Sequence, residues 1–160
     1  MERFKQADYF CADDIAITSF SQNSQMTYGE LATEVVRVHQ FLNSYNIKKG
    51  EAVVLINDAS TEWVTSLAGV VTFGAKAVVV PSGMSESEME EVRRASSARL
   101  VFDDSTRQSV ASTGICRRID LDIFAFRPTD AIIVDYTRGP LGHLSATTTR
   151  VDDFMQIADG

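Results

Sequence analysis

At 160 residues, 44% of them apolar and 23% charged, the chain has the size and composition of one globular domain, not of a disordered segment. Fifteen Lys and Arg against 22 Asp and Glu leave a formal charge of -7, which disfavours nucleic acid and anionic membrane as partners. The two cysteines, Cys11 and Cys116, supply neither a disulfide framework nor a cysteine zinc site. The start, Met1-Glu2-Arg3-Phe4-Lys5, has no apolar signal core, and no run approaches the roughly 18 apolar residues of a spanning helix. The expectation is a soluble cytoplasmic chain, one domain over 1–160.

Asp14 to Phe20 alternates loosely between polar and apolar residues, and Gln22-Asn23-Ser24 interrupts it as a turn. This predicts two short antiparallel strands, the second leading into Met26. Thr27 and Glu30 then sit at capping-box spacing, with Met26 and Leu31 placed to staple over the cap. Leu31, Val35, Val38 and Leu42 repeat at helical spacing with Glu30, Glu34 and Arg37 on another face, so a helix runs to about Tyr45. Ala52 to Ile56 is a short apolar run suited to a strand buried on both faces. Asn57, Asp58 and Ser60 can open the next helix, from about Thr61 to Phe73, and Gly74 is its expected C-terminal cap. That helix is apolar over too wide an arc for a surface helix, so another element must cover it.

Ala77 to Val80 is a second buried strand, stopped by Pro81. Ser85 and Glu88 form another capping box, followed by an amphipathic helix with Met89, Val92 and Ala95 inward and Glu90 paired with Arg94 outside. Leu100 to Phe102 makes a third strand. Ser105 to Asp122 is weakly patterned, with a short helix and a strand near Arg117 to Leu121. Ala131 to Val134 is a last buried strand, Tyr136 to Ala146 a loop, and Val151 to Ile157 a final helix. The order predicts an α/β fold: a short β-hairpin, then an open, mainly parallel sheet with helices on both faces.

Ligands of open parallel sheets bind beyond the carboxyl ends of the strands. The last such end leads into Tyr136-Thr137-Arg138-Gly139-Pro140-Leu141-Gly142-His143, where two glycines three apart can turn backbone N–H groups toward an anion. Neither a Walker sequence nor a dinucleotide Gly-x-Gly-x-x-Gly fingerprint is present. Arg138 and His143 read as anion ligands or as ordinary solvated loop residues, and the loop reading is favoured. Asp103-Asp104 reads as a magnesium pair or, preferably, as a polar strand end with a helix cap at Ser105. His39 is expected on a polar surface, Trp63, Met84 and Met89 in packing, Arg117-Arg118 on a solvated edge, and Cys11 and Cys116 without an activating partner.

Met26-Thr27-Tyr28-Gly29-Glu30-Leu31, Ile47-Lys48-Lys49-Gly50-Glu51-Ala52-Val53-Val54-Leu55, Asn57, Glu62, Leu67-Ala68-Gly69, Phe73-Gly74-Ala75 and Val79-Val80-Pro81 form an ordered set. With Tyr136 to Gly142, they resemble the N-terminal part of the adenylate-forming superfamily: acyl- and aryl-CoA ligases, adenylation domains of nonribosomal peptide synthetases, and luciferases. The resemblance implies a fold whose last loop binds ATP phosphates through Tyr-Thr-Ser-Gly-Thr-Thr-Gly-x-Pro-Lys-Gly. Tyr136, Thr137, Gly139 and Gly142 match that pattern. Arg138 replaces Ser, Pro140 and Leu141 replace two Thr, and Leu144-Ser145-Ala146 replaces Pro-Lys-Gly. Three hydroxyl donors and a cation are missing, each charge-assisted bond being worth roughly 1.5–3 kcal/mol.

Enzymes of the superfamily are several times longer. Their groups for adenine, magnesium and ribose, and the lysine of a mobile C-terminal domain, follow this loop. The resemblance therefore implies a catalytically incomplete relative, with no catalytic residue or metal ligand and no cofactor expected. Such a module would act in acyl or amino-acid activation by self-association or through a protein partner covering the sheet. The alternative is a fragment or split half of an ATP-dependent ligase completed by a second chain, in which case ATP or AMP and Mg are its cofactors.

Overall fold

The structure is a computed structural model and describes residues 11–115 and 132–150. A two-stranded antiparallel hairpin, β1 (Ile15–Ser19) and β2 (Ser24–Thr27), leads directly into α1 (Tyr28–Ser44). The Thr27 hydroxyl accepts from the Glu30 N–H while the Glu30 carboxylate accepts from the Thr27 N–H at 2.8 Å, closing the expected capping box. Then follow β3 (Ala52–Asn57), α2 (Thr61–Phe73), β4 (Lys76–Pro81), α3 (Glu86–Ser96), β5 (Leu100–Phe102), α4 (Asp104–Ala111), β6 (Ile132–Arg138) and β7 (Leu144–Arg150). The main sheet has the order β5-β3-β4-β6-β7, parallel except for the β6–β7 pair.

Strand order decides where the helices lie. A right-handed crossover puts its helix on one face when the chain steps one way across the sheet, and on the other when it steps back. The steps β3 to β4 and β5 to β6 share a direction, and β4 to β5 reverses it. Accordingly α2 and α4, with α1, pack around Val53, Leu55 and Ala77 on one face. On the opposite face α3 contributes Val92 to a cluster with Ala52, Val54, Val78 and Val80. β3 and β4 are thus buried on both sides, as their unbroken apolar runs predict, and each fully buried Val is worth about 1.5–3 kcal/mol relative to exposure.

The wide apolar arc of α2 is covered by α1. α2 starts at Ser60, whose hydroxyl accepts from the Trp63 N–H at 3.0 Å, and ends at Gly74, which holds φ 91°. Where the two helices cross, Gly69 meets Val38 so closely that a Cβ on residue 69 would lie 2.5 Å from the Val38 Cβ and Cγ1. His39 joins the same contact instead of standing on a polar surface: its Nε2 is 2.8 Å from the Thr72 hydroxyl and its ring meets Phe73 edge-on.

The structure corrects several expectations. The segment read as a loop from Tyr136 to Ala146 is largely a hairpin: the last parallel strand continues to Arg138 and returns antiparallel as β7, with Arg138 opposite Leu144. Tyr136, Thr137 and the run Thr147-Thr148-Thr149 are aromatic or β-branched and suit a pleated surface, which outweighs the turn residues between them. In α3, Glu90 pairs with Arg93 at 3.7 Å in place of Arg94, and Ala95 is exposed. The cap of α4 is Asp103, not Ser105; its carboxylate accepts from the Thr106 N–H at 2.8 Å. The strand expected near Arg117 to Leu121, Cys116 and the helix at Val151 to Ile157 lie outside the described residues.

Gly69→Ala gains helix propensity of about 1 kcal/mol but overpacks the crossing by about 1–3 kcal/mol. The Val38 Cβ cannot move by changing rotamer, so the clash dominates. The variant is expected to unfold at lower urea concentration than wild type; equal or greater stability in the same titration contradicts the close crossing.

Candidate functional site

The helices leave β3 and β4 toward opposite faces, so the crevice typical of open α/β sheets lies at the carboxyl ends of those two strands. Its rim is formed by Asn57 at the end of β3 and Asp58 after it, Ser82 and Gly83 after β4, Asp103 after β5, and the β6–β7 turn.

At the first of these ends, Asn57 Oδ1 accepts from the Ala59 N–H at 3.0 Å and Asp58 Oδ1 from the Ser60 N–H and hydroxyl. Ala59 is held at φ 58°. Arg107, on α4, reaches over to Asp58 Oδ2 at 2.5 Å and also donates to the Ile56 carbonyl at 2.8 Å. Burial pushes the Asp58 carboxyl up, but the Ser60 and Arg107 hydrogen bonds together outweigh it and bring the pKa down to about 2. Nothing in the sequence spacing singles out the Asp58–Arg107 pair. Asp103 serves as a helix cap and Asp104 lies 4.0 Å from Arg107, so neither side of the Asp103-Asp104 pair is arranged as a magnesium ligand. Among the described residues no three His, Cys, Asp or Glu side chains form a group that could hold a metal ion.

The β6–β7 hairpin contains all six sequence-predicted site residues, Tyr136, Thr137 and Arg138 at the end of β6 and Gly139, Gly142 and His143 in the turn. Alternation along β6 puts Ile132, Val134, Tyr136 and Arg138 on one face, and Val134 and Tyr136 pack with Val92 of α3 there. Arg138 therefore projects toward the start of α3. Its guanidinium meets Glu88 through two N–H groups, at 2.9 and 3.2 Å, and also donates to the Gly142 carbonyl at 3.1 Å. The Arg138 bonds and the Ser85 N–H hold Glu88 down at about 2, and Glu88 in turn raises Arg138. Thr137 points to the other face, where its hydroxyl is 3.3 Å from that of Ser145. The Gly139 N–H donates to the His143 carbonyl at 2.8 Å, and the Gly142 N–H donates to the Gly139 carbonyl at 2.9 Å. Only Gly142 adopts positive φ, 82°. His143 and Tyr136 border a shallow cleft of about 430 Å³ with Glu88, Glu91, Val92 and Leu144.

These residues do not fit a phosphate. Pro140 has no N–H, the N–H groups of Gly139 and Gly142 are engaged inside the turn, and the cation is already paired. Glu88 is the residue that sequence reasoning missed here, since it was read only as a helix cap. Its signal was available through β6: once the strand reaches Arg138, alternation aims that side chain at α3.

A mainly parallel α/β sheet closed by a glycine-containing hairpin at the rim of its crevice is the architecture of the N-terminal subdomain of adenylate-forming enzymes. The inhibitor-bound N-terminal domain of FACL13 from Mycobacterium tuberculosis superposes with a TM-score of 0.64 at 20% identity, covering 84% of this chain and 40% of that one. The family model for AMP-binding enzymes matches residues 4–137, and the chain belongs to that family. Among curated relatives, the 3-hydroxybenzoate–CoA ligase of Aromatoleum sp. (strain CIB) is 31% identical over 94 residues, 59% of this chain and 18% of that protein. Acetyl-coenzyme A synthetase 2 of Candida albicans is 26% identical over 122 residues, 75% of this chain and 18% of that protein. The chain thus spans 18% of the length of either relative. No helix among the described residues is long and apolar enough to cross a membrane.

The folded pKa of Asp58, about 2, lies below the usual carboxyl value near 4 that applies when the chain is unfolded. The Asp58–Arg107 pair therefore contributes fully above about pH 4 and its contribution is lost as pH falls through about 2. Stability measured by urea titration is expected to decline over that interval, and Asp58→Asn to decline less steeply while starting lower. Parallel profiles for the two proteins would remove Asp58 from the acid response.

Proposed function

We propose that this chain is a catalytically incomplete module of the AMP-binding family, working in acyl or amino-acid activation through association and not by making an acyl-adenylate itself. The observation that carries this reading is the closed β6–β7 turn. Adenylation depends on positioned donors and cations around the transferring phosphates, because electrostatic stabilisation of the transition state supplies most of the rate. A turn whose glycine N–H groups bond inward and whose guanidinium faces a carboxylate offers little of that.

Association is supported by the edge of the sheet. Among the described residues β7 pairs only with β6, so its outer edge presents a row of backbone N–H and C=O groups over Leu144–Arg150. A second copy or a protein partner adding a strand there would satisfy them.

A second reading is favoured by the relatives, which are acid–CoA ligases and far longer than the aligned region. In it the chain is one part of an ATP- and Mg-dependent acid–CoA ligase or adenylation enzyme, and the remaining groups come from further polypeptide.

Calorimetric titration of the 160-residue polypeptide with ATP and with AMP separates these readings. The closed turn predicts no binding heat and no exchange of pyrophosphate into ATP when carboxylic acids are supplied. Saturable ATP binding, or exchange by this chain alone, defeats the incomplete-module reading. Light scattering tests the association: a dimer or larger species is expected, and a monomer that captures no second chain counts against it.

A further inference from the structure

Among the described residues the two edges of the main sheet are protected unequally. β5 is an edge of 3 residues, β7 one of 7. Edge strands are ordinarily blunted by shortness, charge, proline or bulges. β7 has none of these along its middle: Ser145 to Thr149 holds no charged residue, proline or glycine, and the ladder with β6 runs from Ile132–Arg150 to Arg138–Leu144 in unbroken register. The phase of the hydrogen bonds says which groups are left over. The Gly139 N–H bonds the His143 carbonyl, so the next pair, Arg138 and Leu144, is of the non-hydrogen-bonded kind. By alternation, Ser145, Thr147 and Thr149 turn their backbone groups toward β6, and Leu144, Ala146, Thr148 and Arg150 turn theirs outward.

From this pattern we propose that the occupant of the edge is β7 of a second copy of the chain, paired antiparallel about a two-fold axis at Thr147. The inference rests on the association reading above and names its partner and register. Outward groups must meet outward groups, so an axis between two residues, which sets them against inward ones, is excluded. The axis at Thr147 sets Leu144 against Arg150 and Ala146 against Thr148 of the second copy, and every outward residue is paired. Other centres leave some unpaired: an axis at Ala146 leaves out Arg150, and one at Thr148 leaves out Leu144. On the opposite face the same register brings Thr147 against Thr147 and Ser145 against Thr149, hydroxyl pairs of the kind that stabilise neighbouring strands. No charge faces a like charge, because Arg150, the one charged residue of β7, lies beside Leu144 of the second copy, where its aliphatic stem can pack.

Position 147 supplies the test, since it alone faces its own copy, and its side chain is exposed. In a chain with Cys11 and Cys116 replaced by serine, Thr147→Cys is expected to form an inter-chain disulfide on mild oxidation. Non-hydrogen-bonded pairs bring Cα atoms to about 4.5 Å, within disulfide reach. Thr148 is also exposed, but two copies of it lie beyond the roughly 7 Å limit, so Thr148→Cys is expected to cross-link about tenfold more slowly. Sedimentation equilibrium reads the charge variants, with folding verified by circular dichroism. Thr147→Lys and Thr147→Glu each oppose like charges across the axis and are expected to weaken the dimer about two- to fivefold. Their equimolar mixture is expected to regain the wild-type affinity, a rescue that a destabilised fold does not give. The proposal is overturned if Thr147→Cys cross-links no faster than Thr148→Cys, if both charged variants associate like wild type, or if mixing rescues nothing. A wild-type dimer that fails these tests removes the β7 pairing and leaves association standing, whereas a wild-type monomer defeats both. ATP binding by a wild type that passes them defeats the incomplete-module reading alone, so the failures are distinguishable.

Discussion

A crossover between parallel strands keeps a right hand, and this constraint places every group at the rim of the sheet. Because the chain steps from β3 to β4, back past β3 to β5, and forward again to β6, α3 is the one helix among the described residues on its face. The start of α3 lies at the carboxyl end of β4, beside the end of the neighbouring strand β6. Two-residue alternation along β6 then directs Arg138 onto that face, where Glu88 stands in the first turn of α3. The ion pair between residues 50 positions apart is thus a consequence of topology and register.

Exposed ion pairs contribute little to stability, commonly about 0–1 kcal/mol, so this one is not what holds the hairpin to the sheet. The ladder between β4 and β6 and the packing of Val134 and Tyr136 beside Val92 do that. What the pair does is occupy the guanidinium at the mouth of the turn. A loop of this kind can serve an anion only if its donors point outward, and here the inward bonds of Gly139 and Gly142 and the Glu88 contact make the turn self-satisfied. Pro140 reinforces the arrangement by withholding one N–H and fixing its own φ near -65°.

Much of this fold was legible in the sequence. Both capping boxes, Gly74 as a left-handed cap and the double-sided burial of β3 and β4 follow from local rules, because those rules involve residues within a turn of one another. The family resemblance lay in the same region. What the sequence pattern does not carry depends on partners far apart in the chain. Arg107 gives no local sign that it will bridge to Asp58, and His39 none that Thr72 and Phe73 will meet it. The turn departs from its sequence pattern for a different reason: Gly139, Pro140 and Gly142 signal a loop, while Thr147, Thr148 and Thr149 carry the strand signal just beyond. Once β6 is ended too early, Arg138 has no face, and its partner cannot be deduced.

Charge at the rim points the same way as the hydrogen bonds. Arg107 is in ion pairs with Asp58 and Asp104, and Arg138 with Glu88, so these two guanidinium groups are matched by three carboxylates. Glu91 adds another negative charge beside the turn, within a chain whose formal charge is -7. At physiological ionic strength only charges within about 8 Å act strongly on an approaching ion. An anion entering the cleft therefore meets a local field that is neutral or negative, and long-range attraction does not compensate. An excess of positive potential raises the local concentration of an approaching phosphate and speeds its binding. Here the Glu88 carboxylate and the overall acidity both oppose it, and the carboxylate is fixed in place because it also closes the capping box of α3.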